Sequence, residues 1–167
     1  DMCPIPNSHY ANSKLAMENM ARNYFETLNI MIVRPFNYTG RGQAQHFVIP
    51  KIVHHFREKK SEIELGNINV FREFNDVRYI CSLYHQMMLS NHKNDIVNFC
   101  SGNTVSLTVV IDTLKELTGQ QIDVKVKPQF VRVNEIHSLS GSTSKLYKIL
   151  GEIPQEDTLL KLLRNML

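Results

Sequence analysis

The apolar positions change period several times along the chain, and each change marks an element. Asn7 or Ser8 can cap a helix that runs to about Leu28, because Met17, Met20, Ala21, Tyr24, Phe25 and Leu28 recur at helical spacing. The stretch NIMIVRPFN (29–37) is then continuously apolar, as expected of a strand covered on both faces, and Pro35 stops it. A helix followed by a buried strand is a piece of a parallel α/β sheet. A loop, YTGRGQ (38–43), leads into a helix over 47–60, where Pro50 is tolerable only in the first turn. SEIELGNINVFREF (61–74) predicts a hairpin turning near Gly66-Asn67. Helical spacing returns over 76–90, a second buried strand follows at 95–101, and a helix from Ser106 to Leu117 is closed by Gly119. Alternation over 121–127 predicts a half-exposed strand, and 144–151 and 158–167 are closing helices. No internal repeat and no low-complexity linker interrupts this order.

Composition narrows the function classes. A chain of 167 residues fits one domain, or one domain and part of another, and can bury a sizeable core. Its 43% hydrophobic and 21% charged content is ordinary for a globular protein. A net charge of +3 is too weak to imply a nucleic-acid partner, and the run HHFREKK (54–60) reads as a solvated helix end. No apolar run approaches the roughly 18 residues of a membrane span, so no membrane partner is expected. The start DMCPIPN has neither a basic nor an apolar region, so no signal peptide is expected. Cys3, Cys81 and Cys100 are odd in number and lack metal spacing, which reads as reduced thiols in a cytoplasmic protein. Cys81 and His85 share a helix face without further ligands, so no metal site is expected.

One tetrad carries candidate chemistry. SHYANSK (8–14) puts Tyr10 and Lys14 at i and i+4, on one helix face. A phenol is a poor base at neutral pH, and a neighbouring ammonium favours its phenolate. A tyrosine so tuned can give or take a proton at a substrate hydroxyl or carbonyl. The pair alone equally fits two solvated side chains on the front of a helix.

Corroboration for the catalytic reading lies in the segments that follow. RPFNYTGRGQ, FVIPKIV, REFNDVRYI, VNFCSGNTVSL and VRVNEIHSLSGSTSKLYKILGEIP, in this order, resemble the extended short-chain dehydrogenase/reductase family. Within it they look like the NAD(P)-dependent nucleotide-sugar epimerases, dehydratases and reductases, and most of all like the GDP-6-deoxy-D-mannose reductases and GDP-mannose 4,6-dehydratases. The resemblance spans nearly the whole chain. It implies an α/β fold: the C-terminal part of a Rossmann-type doubly wound sheet plus the smaller α/β substrate-binding domain. Residues 1–40 would end the dinucleotide-binding domain. Residues 41–167 would mainly form the substrate domain, with 95–118 returning to the Rossmann sheet.

By the same resemblance, Tyr10 would be the catalytic acid/base, and Lys14 would favour its phenolate and hydrogen-bond the nicotinamide ribose of NAD or NADP. Pro35 and Phe36 would line the nicotinamide end. Asn37 would hold a nucleotide-diphosphate sugar near its phosphates. Phe47, Val48 and Ile49 would form a wall for the base, with Lys51 supplying a cation. Arg72 and Arg132 would bind the diphosphate, which a guanidinium fork suits well. Glu135 would accept from a ribose diol. Asp76 and Arg78 read as helix-face charges. The resemblance further implies a homodimer through the Tyr10 helix, although the stripe Met17, Met20, Tyr24 would serve an internal core equally well.

Three positions depart from the family pattern. Arg41 stands where Pro is usual in a G-P-G-Q turn, Tyr79 where Asp is common, and Glu152 where Trp is usual. The family's Gly-rich phosphate loop does not occur in the chain, which leads us to expect the C-terminal part of a longer enzyme, inactive alone. The leading expectation is reduction of a GDP-4-keto-6-deoxy sugar. A 4,6-dehydratase or C4 epimerase is the alternative within the class. A stand-alone nucleotide-sugar binding module, or a paralogue without redox chemistry, is the alternative outside it.

Overall fold

A computed structural model describes residues 4–131 and 136–167. In chain order the elements are α1 (His9–Arg22), β1 (Met31–Pro35), β2 (Tyr38–Thr39), α2 (Val48–Arg57), β3 (Glu62–Leu65), β4 (Phe71–Arg72), β5 (Asn75–Asp76), α3 (Val77–Leu89), β6 (Asp95–Phe99), β7 (Val105–Ser106), α4 (Leu107–Thr118), β8 (Asp123–Val126), β9 (Ser138–Leu139), α5 (Ser144–Leu150) and α6 (Leu159–Met166). Parallel pairing dominates: β1 with β6, β2 with β5, and β3 with β8. Strand β4 lies between an antiparallel β7 and a parallel β9. Among the described residues no helix is long and apolar enough to cross a membrane.

Local chemistry explains the helix boundaries. Ser8 Oγ accepts the Ala11 amide at 3.1 Å and starts α1. The Asp76 carboxylate accepts the Arg78 amide at 2.8 Å and starts α3, while Ser106 Oγ caps α4 through the Val109 amide at 3.3 Å. Gly119, with φ +69°, ends α4 in the left-handed conformation that a Cβ would oppose. Pro50 sits in the first turn of α2, where its missing N–H is no loss.

Among the described residues, two apolar cores result. In the first, α2, α4 and α6 pack with β3 around Ile52, Val110, Leu114 and Leu163, all essentially inaccessible. In the second, α3 and α5 pack on β6 around Leu83, Val97, Phe99 and Leu146. Helix α4, in the span expected to rejoin the Rossmann sheet, packs against α2 and α6, whereas β6 pairs with β1.

Three expectations are corrected. The stretch 61–74 is not a hairpin, because β3 takes β8 as its partner and β4 takes β7 and β9. Gly66 marks the divergence: a Cβ there would meet the Phe130 carbonyl oxygen at 2.4 Å, so the glycine admits a close backbone crossing rather than a tight turn. Helix α1 ends at Arg22, not near Leu28. The amides of Tyr24 and Phe25 switch to i−3 carbonyls, and Asn94 then captures the chain by donating to the Phe25 carbonyl (2.7 Å) and accepting the Ile30 amide (3.1 Å). Finally, Met17, Met20, Tyr24 and Leu28 are each more than half exposed, so the stripe does not face an internal core. The one buried residue of α1 is Glu18.

Helix α5 is tied to β6 by charge. Burial alone would raise the Asp95 carboxyl, but hydrogen bonds from Lys145, His92 and the Ile96 amide outweigh it and hold the group at about 2. With the folded value below the ordinary 3.8, the tie is fully stabilising above that value and lost as pH falls through about 2. Asp95→Asn is therefore expected to lower the urea midpoint at neutral pH, with the gap to wild type closing between about pH 4 and about pH 2. A gap of constant size across that range would show that the tie does not contribute.

Candidate active and nucleotide-sugar site

Helix α1 is held to β1 by an ion pair rather than by an apolar face. Arg34 Nε and one terminal nitrogen donate to the two Glu18 oxygens at 2.8 and 2.6 Å. This bidentate fork, between a buried carboxylate and a half-buried guanidinium, holds the Glu18 carboxyl below its usual range. Tyr10, Lys14 and Glu18 are successive i, i+4 positions, so all three lie on one side of α1. Glu18 turns that side toward Arg34, the residue before Pro35. Tyr10, about 12 Å up the axis from Glu18, is 73% exposed, so its hydroxyl is open to a ligand. The Lys14 ammonium lies 5.7 Å from the Tyr10 ring centroid.

The paired strands β1 and β6 end together, Pro35 opposite Phe99. Ligands of open α/β sheets bind outside such carboxyl ends. Pro35 has no N–H, and the Phe36 amide is taken by the Phe99 carbonyl at 2.9 Å. This strand end therefore offers no free amide donor at Pro35 or Phe36 and exposes a proline ring, a flat apolar surface for a ring to lie against. The next residue, Asn37, has an exposed side chain, and its carbonyl accepts the Asn75 amide at 2.9 Å. The following loop closes through Thr39 Oγ1 to Gln43 Oε1 at 2.6 Å, leaving Arg41 exposed at the turn.

At the start of α2, Phe47 is exposed and Val48 half-buried. Ile49 is 2% exposed and belongs to the core, so only its backbone remains for a ligand. No side chain caps this helix and no acidic residue occupies its first turn, an arrangement whose dipole favours an anion. The Lys51 ammonium donates to the Glu64 carbonyl at 2.6 Å and lies 5.2 Å from the Phe130 ring centroid. Lys51 is thus half-buried on the β3 side instead of standing free as a surface cation.

The Arg72 guanidinium donates to the carbonyls of Phe71 (2.8 Å), Ile136 (2.6 Å) and His137 (3.4 Å). It is held beside the segment that follows Arg132 and Glu135; those two residues lie outside the described residues. Asp76 is not a solvated helix-face charge. It is 2% exposed, pairs with Arg78, and Glu156 accepts its amide at 3.1 Å. Tyr79 fills a core position and donates to the Cys100 carbonyl at 3.0 Å. The Cys100 thiol is pushed up to about 12 by burial, which leaves it unreactive.

Sequence reasoning passed over Glu18, Arg34 and the buried Glu73. A signal existed for the first two, since an arginine inside the apolar run IMIVRP needs an anionic partner. None existed for Glu73.

Residues 3–166 match the family described as GDP-mannose 4,6 dehydratase. The chain is 35% identical over 150 residues to GDP-6-deoxy-D-talose 4-dehydrogenase of Aggregatibacter actinomycetemcomitans, covering 90% of this chain and 51% of that one. It is 29% identical over 174 residues to GDP-6-deoxy-D-mannose reductase of Pseudomonas aeruginosa, covering 100% of this chain and 57% of that one. The solved structure of RMD from Pseudomonas aeruginosa complexed with NADPH superimposes with a TM-score of 0.90 at 28% identity, over 98% of this chain and 56% of that one. A candidate epimerase from Burkholderia cenocepacia J2315 superimposes with a TM-score of 0.94 at 42% identity, over 98% and 54%. The chain spans about half the length of the curated relatives it matches. The match over almost every residue makes this chain a member of the GDP-mannose 4,6 dehydratase family of extended short-chain dehydrogenases/reductases.

Proposed function

We infer that this chain is the substrate-side part of an NAD(P)-dependent oxidoreductase that reduces a GDP-linked 4-keto-6-deoxy sugar. The observation that carries the reading is the Glu18–Arg34 fork. It turns the helix side bearing an exposed Tyr10 and Lys14 toward the strand end that leads into Asn37. A bound nicotinamide would supply a hydride to the sugar's C4 carbonyl carbon. Tyr10 gives the hydroxyl proton to the carbonyl oxygen as that bond becomes C–O–H, and Lys14 favours the phenolate left behind. Solvent then returns the proton to Tyr10. Asn37, the uncapped start of α2, Arg72 and Arg132 would receive the diphosphate, and Glu135 the ribose. Phe47, Val48, the Ile49 backbone and Lys51 would meet the base. The division near residue 40 follows the same reading.

The GDP assignment is supported by two curated relatives, both named for GDP-6-deoxy sugars. The exposed stripe Met17, Met20, Tyr24 supports a homodimer through α1, and the free thiols Cys81 and Cys100 fit a cytoplasmic enzyme. In the full-length protein, GDP is expected to raise the melting temperature while UDP, dTDP and CDP at equal concentration do not. Arg132→Ala is expected to weaken GDP binding by about 1.5–3 kcal/mol, the range for charged hydrogen bonds. A UDP-selective shift would overturn the base assignment, and unchanged affinity in Arg132→Ala would remove that residue from the diphosphate site.

A further inference from the structure

Glu73 has no place in the chemistry above, yet its side chain is buried and joined by hydrogen bonds to Asn75, Ser101 and Gly141. Its carboxylate is 1% exposed. One oxygen accepts the Gly141 amide at 2.6 Å; the other accepts the Ser101 amide at 2.9 Å and Asn75 Nδ2 at 3.1 Å. Among the described residues it forms no ion pair, so N–H donors and the more distant Ser101 hydroxyl (3.4 Å) offset the cost of burying it. Those donors come from three separate segments: the end of β6, the start of β5, and the stretch after β9.

Glu73 itself and two of these segments lead to residues assigned to the nucleotide sugar. Glu73 adjoins Arg72. Asn75, which Glu73 holds by its side chain, fixes Asn37 by donating its amide to the Asn37 carbonyl at 2.9 Å. Gly141 anchors the stretch that begins at Ile136, and Arg72 grips the same stretch at the Ile136 and His137 carbonyls. Gly141 is also seated too tightly for any side chain: a Cβ would come within 2.6 Å of Cys100 Sγ and 2.9 Å of Phe36 Cε2. The clamp therefore holds the stretch after β9 against Phe36, at the carboxyl end of β1.

We propose that Glu73 is a positioning residue for nucleotide-diphosphate binding, which sets Asn37, Arg72 and the stretch from Ile136 to Gly141 in one register without touching the ligand. The proposal rests on the nucleotide-sugar reading above. Glu73→Gln keeps the shape but replaces one acceptor oxygen with a donor that faces an amide N–H. In the full-length protein, calorimetry well below the melting temperature should show GDP affinity reduced about tenfold. In turnover the loss should fall on KM, with kcat within about twofold. A merely structural role would lower the melting temperature and leave GDP affinity and KM of the folded protein unchanged; that result overturns the proposal. If Glu73→Gln does not fold, Asn75→Ala removes one donor and keeps its backbone bond to Asn37, with about a threefold loss of GDP affinity expected and none overturning. Wild-type protein that binds no GDP would overturn the nucleotide-sugar reading and the proposal together. Wild-type binding with unaffected variants would overturn the proposal alone.

Discussion

Tyr10→Phe in the full-length protein is expected to reduce turnover by about 10²–10⁴-fold, the contribution of a positioned general acid. Nucleotide-sugar affinity should stay within about twofold. The substitution removes one oxygen and nothing else: the ring that Lys14 overlies at 5.7 Å remains, and the 73% exposure of Tyr10 means that no core contact is lost. The helix itself is secured elsewhere, by the Ser8 cap and the Glu18–Arg34 fork. A drop in turnover therefore reports the hydroxyl rather than the fold. Turnover within about threefold of wild type would remove Tyr10 from the proton path.

Phe99→Ala is expected to cost about 3–5 kcal/mol of stability, a large share of the 5–15 kcal/mol typical of a domain. Phe99 is fully buried at the end of β6 and packs edge-to-face against Tyr84 at 4.9 Å between centroids. Its carbonyl also receives the Phe36 amide, so the cavity would open directly beneath the candidate site. Urea unfolding would measure the loss. A cost below about 1.5 kcal/mol would mean that this core collapses around the gap and does not brace the strand ends.

Local features were legible and long-range partners were not. Helices α3 and α4 begin and end near their expected positions because Asp76, Ser106 and Gly119 act through bonds within a few residues. Pairing is different. EIEL reads as half of a hairpin because Gly66-Asn67 resembles a turn, but the strand chose β8, about sixty positions away, for reasons of packing that no local pattern encodes. The α1 stripe misled in the same way: its spacing is helical, but spacing does not say which face is covered, and here a single carboxylate faces inward. At the candidate site, the juxtaposition of Tyr10 and Lys14 on one helix face was legible because their spacing is about one turn. Ile49 was legible as an apolar residue but not as one turned into the core. Glu73 was illegible, since a carboxylate between Arg72 and Phe74 looks solvated until the three segments that donate to it are assembled.

The most direct test follows a deuteride from C4-deuterated NADPH into a GDP-4-keto-6-deoxy sugar, with the product read by NMR, in wild-type and Tyr10→Phe full-length protein. Hydride transfer with Tyr10 as proton donor predicts deuterium at the sugar's C4 in the wild type and only a trace in the variant over the same time. A wild-type protein that binds the GDP sugar while NADPH stays unconsumed, or a variant that labels C4 equally well, would contradict it.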